Sequence, residues 1–281
     1  MATLIWTGGE SATTKTFMTA ANWGGTAPTN DDTLIINSTS DTIGGAATGL
    51  TGITFRVGSG FTGTIGSSTT YLDLSGPLCE FASGGAAAYL TGTWTNFRIT
   101  GGSASSVFLN LKGNASTAIT TLLASQLSGT VTVGSSAAVT TVQMNGLSVG
   151  KIDLASSITG LANLTVTEGT ITCASTISGT ASVIGGTLQT SGTSAYPTIE
   201  IDTDGSCDYR SSGTITTLNI FDGVFTSRDN ETAGFTITTA NNYSGGRLLL
   251  DSALNNAAVT NPISMLGGDA SFAVGSTISL G

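Results

Sequence analysis

The chain has 281 residues, of which 39% are hydrophobic and only 9% charged, with 39 glycines, 4 prolines, no histidine and a formal net charge of −9. That length is ample for a buried core, and a mean hydropathy of +0.27 sets the chain apart from Ser/Gly-rich sequences too polar to fold. The acidic balance argues against a nucleic-acid partner, because eight singly scattered cations from Lys15 to Arg247 cannot outweigh 17 carboxylates near a phosphate backbone.

Taken from its start, the chain shows no basic region followed by an apolar run. No stretch approaches the roughly 20 apolar residues of a membrane span. The expectation is a protein made and kept in the cytoplasm or packed into a particle assembled there. Residues 1–45 read as a segment of their own, a cap or anchor: Trp6 to Gly9, Ala21 to Gly25 around Trp23, Ala27-Pro28, then Asp31 before the apolar run to Ile36. The first rung of a strand stack leaves an open apolar end, and Trp6 and Trp23 are large enough to plug it. Two tryptophans of an ordinary core would read the same way.

From residue 46 to 281 the pattern is that of strands. Ile53–Val57, Tyr71–Leu74, Phe97–Ile99, Val107–Leu111, Val131–Val133 and Val142–Met144 alternate between Gly/Ser turns. Trp94 is read as exposed and available to stack on carbohydrate. Residues 117–127 are the one stretch that also suits a short helix. Gly44-Gly45 and Gly84-Gly85 lack the strand-to-helix context of a phosphate loop, and no cofactor motif is present.

Beyond residue 160 a repeat emerges, each short apolar segment being broken by a glycine and resumed. The marker glycines are Gly169, Gly186, Gly205, Gly223, Gly246 and Gly268, spaced 17, 19, 18, 23 and 22 residues apart. This is the length of one turn of a β-helix. Two residues after each marker stand Ile171, Leu188, Cys207, Phe225, Leu248 and Ala270, all apolar, which a solenoid would stack into one inward column. The fold class expected is therefore all-β: a single-stranded parallel β-helix, or β-solenoid, with short rungs of about 17–23 residues and an N-terminal cap. A sandwich or barrel is the rival, supported by the hairpin-like pairs Asn145-Gly146, Asp204-Gly205 and Asp222-Gly223.

The tryptophan strand, Asn-Trp turn, proline and aspartate of residues 1–45 resemble the opening segment of autotransporter-type passenger solenoids. They also resemble that of β-helical virion proteins of tailed bacteriophages. Phe61 to Gly66 followed by Tyr71 to Leu74 is similar to phrases of phage structural proteins. The resemblance covers about the first quarter of the chain by motif. It implies a virion location and a non-enzymatic structural role, as capsid decoration or reinforcement or as a projecting fibre. The partners it implies are further copies, as a homotrimer, and the major capsid or other virion proteins. The chain stops at Ile278 to Gly281, in or just after a strand, which suggests that a partner covers that end.

The densest polar cluster is Glu200, Asp202, Asp204, Asp208 and Arg210, followed about one rung later by Asp222, Arg228, Asp229 and Glu231. Asp204 and Asp222 both precede a marker glycine. Stacked rungs about 4.8 Å apart would bring them near the carboxylate separation of a retaining glycosidase. Aspartate before glycine is also ordinary turn chemistry, and Glu200 and Asp202 alternate with Ile199 and Ile201, as a solvated strand face requires. A calcium site at the same acids is a further option. The alternative function is thus a receptor-binding adhesin or tailspike that binds, or cleaves, a host surface glycan, with a bacterial cell-surface passenger as a third class. Cys79, Cys173 and Cys207 show no CxxC spacing, lack a histidine to join them at a metal, and read as small buried apolar residues.

Overall fold

Thr, Val, Ile and Leu alternating around glycine turns give strands that do not fold back on one another. In the computed structural model the described residues are 1–44, 49–82, 87–101, 109–113, 116–227, 234–251, 257–272 and 277–280. Every strand pair among the described residues is parallel, and two sheets share the strands alternately along the chain. This is an all-β parallel β-solenoid; its helical content is a single 3-10 turn, Ala20–Trp23, among the described residues. Parallel neighbours need a long crossover between them. Here the strand donated to the other sheet serves as that crossover, so each turn feeds both sheets.

Two compact units divide the chain. The first comprises Met1–Val139 with Leu147–Ile152, and the second Thr140–Gly146 with Asp153–Gly281. In the first unit one sheet runs Thr3–Ile5, Thr33–Ile36, Thr54–Val57, Gly76–Phe81, Thr93–Ile99, Ala118–Ser125. Its other sheet runs Thr14–Thr16, Thr42–Gly44, Thr64–Ile65, Ala88–Thr91, Leu109–Leu111, Thr130–Val133, with Leu72–Asp73 as an extra partner of Ala88–Thr91. Residues 1–44 therefore contribute strands to both sheets.

In the second unit two inward columns run in register from Ala138–Asn145 to Thr236–Tyr243. Val142, Leu164, Ala181, Ile199, Leu218 and Ala240 follow one another in register. Beside them run Met144, Val166, Val183, Ile201 and Ile220, and the next position is Asn242, buried, whose Nδ2 donates to the Asp269 carbonyl at 2.8 Å. Tyr196, Tyr209, Phe225 and Phe235 fill the wider part of the core, with ring centroids 4.9–6.0 Å from that of Tyr209. Their hydroxyls are satisfied inside: Tyr209 donates to the Gly213 carbonyl at 2.9 Å and Tyr196 to that of Cys173 at 3.4 Å.

Two alternatives fall away. Residues 118–125 form a strand, not a helix, parallel to Thr93–Ile99. Ile119, Leu122 and Ala124 point inward while Thr120 and Thr121 both face out. That slip in the alternation means the backbone bends between them, and it produces the i, i+3 spacing that imitates a helix. The same slip recurs at Ile215, Leu218 and Ile220. The hairpin rival also falls, because Asp204-Gly205 and Asp222-Gly223 each lead from a strand of one sheet to a strand of the other.

Candidate functional site

The residues two places after the marker glycines lie in one file of the second sheet. Ile171 pairs with Leu188, Leu188 with Cys207, Cys207 with Phe225, Phe225 with Leu248 and Leu248 with Ala270. The first five are fully buried and Ala270 is half-buried. Cys79, Cys173 and Cys207 are free thiols in the core, and burial pushes all three thiol pKa values up. Such thiols are poor nucleophiles and poor metal ligands.

Among the marker glycines, Gly169 and Gly223 take left-handed φ values of +68° and +97°, whereas Gly186 and Gly205 are needed for space. A Cβ at Gly205 would fall on the Val183 carbonyl oxygen of the turn beneath it, and one at Gly223 on that of Gly205. Asp204 and Asp222 precede these two residues in exposed turns one rung apart, the first spanning 202–205 and the second only 221–222 between their strands, tied by the Val224 N–H donating to the Gly205 carbonyl at 2.9 Å. Asp222 Oδ1 accepts from the Gly223 N–H at 2.8 Å, and Asp202 Oδ1 accepts from the Thr203 N–H at 2.8 Å. Glu200 faces outward beside Asn219. Asp208 differs in being buried: its Oδ2 accepts from Gln189 Nε2 at 3.1 Å and from Arg210 Nε at 2.7 Å. Among the described residues no three carboxylate, cysteine or histidine side chains converge as metal ligands would. Arg228, Asp229 and Glu231 lie outside the described residues, as do Val107, Gly45, Gly84, Gly85 and Gly281.

The tryptophans sit inside. Trp6, Phe17 and Trp23 pack edge-on and stacked with centroids 5.0–6.3 Å apart, and Phe17 reaches Phe55 at 6.2 Å. Trp6 Nε1 donates to Asp41 Oδ2 at 2.9 Å and Trp23 Nε1 to the Phe17 carbonyl. Trp94, expected on the surface, is 1% exposed and meets the Phe97 ring edge-on at 6.1 Å. The bend in its strand turns the indole inward, so it cannot stack on a sugar.

A different place gathers surface chemistry. Between Ile65 and Leu72 the first unit makes an excursion: Ser67 and Thr70 close a tight turn through mutual backbone bonds of 2.8 and 3.2 Å, and Gly66 takes φ +67° to enter it. The chain returns as Leu72–Asp73 alongside Ala88–Thr91. Thr70, Tyr71, Asp73, Thr91, Lys112 and Ser116 then line a surface pocket of about 190 Å³. Tyr71 meets the Tyr89 ring edge-on at 5.7 Å, and Lys112 Nζ lies 5.4 Å from the Tyr71 centroid. Partial burial, and then the neighbouring Tyr89, raise the Tyr71 pKa, so its phenol is neutral and can donate. No protein family, curated relative or solved structure matches this chain. The pocket was not legible in the sequence, because Tyr71 and Lys112 are 41 positions apart and only the register of the stack brings them together.

The second unit also exposes an apolar corner. Phe221 and Tyr243 stack at 4.8 Å with ring planes 19° apart, and Leu266 pairs next to Tyr243. Phe221 is 39% exposed and Leu266 58%.

Proposed function

We propose that this chain is a structural protein of a tailed-phage particle, decorating or reinforcing the capsid or projecting from it, and that it associates with copies of itself. The observation that carries this reading is the apolar corner at Phe221, Tyr243 and Leu266. Contiguous apolar surface facing water marks an interaction site, and closed self-association is the commonest way to cover one. The parallel ladders and filled inward columns within each unit add support, since a hydrogen-bonded stack of strands suits a part whose work is mechanical. So does the resemblance of residues 1–45 to phage solenoid openings.

Light scattering on the purified chain, together with co-sedimentation with phage capsids, tests both halves. A mass of three chains and recovery with capsids is expected, with Phe221→Ser plus Leu266→Ser returning a monomer. A wild-type chain that stays at 27.9 kDa and ignores capsids would sink the reading.

One arrangement favours a second reading, a polysaccharide-cleaving tailspike. Asp204 and Asp222 occupy exposed turns on adjacent rungs, as paired acid catalysts of a glycosidase could. New reducing ends from host polysaccharide, lost in both Asp204→Asn and Asp222→Asn, would establish it. Cleavage that survives both changes would remove these residues from any site.

A further inference from the structure

We infer that the pocket beside Tyr71 binds one neutral monosaccharide unit, such as the exposed end of a glycan. A cavity of about 190 Å³ lies below the roughly 300–1,000 Å³ of sites for drug-sized ligands, and suits a single ring. Its chemistry fits a polyol. Asp73 accepts hydroxyl protons and Lys112 donates to hydroxyl oxygens. Thr70, Thr91 and Ser116 can each do either, and the protonated Tyr71 phenol adds a further donor.

Charge narrows the class. Asp73 and Lys112 offset one another, so the lining attracts neither an anion nor a cation strongly. Too few apolar groups are present for a lipid chain. A neutral molecule rich in hydroxyls is what remains.

The site is also pre-organised, which reduces the ordering cost of binding. Tyr71 is held edge-on by Tyr89 and covered on its face by Lys112. Thr91 is tied to Thr117 through a 3.0 Å hydroxyl bond, and Asp73 is fixed by backbone pairing of its strand with Thr91. This inference does not depend on the particle reading, for it stands on a pocket in the first unit while that reading stands on a corner of the second.

Saturation-transfer NMR on the full chain, with the methyl glycosides of glucose, galactose, mannose and N-acetylglucosamine as probes, tests it. Transfer to the ring C–H protons of at least one glycoside is expected. It should disappear in Tyr71→Ala, and affinity should fall about tenfold in Asp73→Asn, the loss of one charge-assisted hydrogen bond. Lys112→Gln, which leaves the core untouched, should weaken the same glycoside, with unchanged circular dichroism in all three variants. Silence from all four glycosides, or transfer unaltered in the folded Asp73→Asn and Lys112→Gln variants, would overturn the assignment.

Discussion

At the scale of single residues, close approach between turns decides which positions tolerate change. Gly205 has no room for a methyl group because the Val183 carbonyl oxygen occupies the place of its Cβ. Gly205→Ala should therefore cost about 1–3 kcal/mol, the usual penalty for overpacking, and lower the urea midpoint without altering the m-value. Asp32 makes a prediction of another kind. Burial acts to raise its pKa, but hydrogen bonds from the Ala2 N–H, the Thr29 N–H and the Thr29 hydroxyl outweigh it, and the carboxyl lies below its ordinary value of 3.8. A depressed folded pKa means that the unfolded chain binds the proton first. The stabilisation is complete above the ordinary value and is lost as pH falls through the folded one. The stability gap between wild type and Asp32→Asn should be constant near neutrality and shrink below pH 3.8, as read from urea midpoints along a pH series. A gap that stayed constant to the lowest pH would show that Asp32 does not carry it.

At the scale of elements, the strand Ala118–Ser125 shows where sequence and structure part. Leu122 and Leu123 would both lie near the buried face of a helix, yet in the strand Leu122 is fully buried and Leu123 only partly so. Leu122→Ala should cost about 2–5 kcal/mol through the cavity it leaves, and Leu123→Ala well under half of that. Equal losses would contradict the strand. The lesson is about periodicity. Where alternation is strict, as in Thr170–Cys173 or Thr187–Thr190, the repeat could be read directly, and the spacing of the marker glycines carried the register of Ile171, Leu188, Cys207, Phe225 and Leu248. A strand that bends after two outward residues borrows the helical spacing and misleads. Trp94 was misread for the same reason, since it sits three positions before Phe97 across the same kind of bend. The Tyr71 pocket stayed hidden because it arises from neighbouring turns, not from a motif.

At the scale of the whole molecule, stability resides in nearest-neighbour contacts between turns, so the turn is the unit that can be removed. Residues 170–186 make one complete turn, carrying Thr170–Cys173 in one sheet and Thr180–Val183 in the other. Deleting them joins Gly169 to Thr187 and offers the following strands to the same two sheets with inward residues still inward. Deleting residues 170–178 alone removes half a turn and sends Thr180–Val183 towards the wrong sheet. The 17-residue deletion should keep the β-type circular dichroism of the parent and a cooperative unfolding transition at a lower midpoint. The nine-residue deletion should lose cooperativity or fail to fold, although it removes fewer atoms. If the shorter deletion proved the milder of the two, the assumption that register between turns outweighs the amount of buried surface would be wrong for this chain.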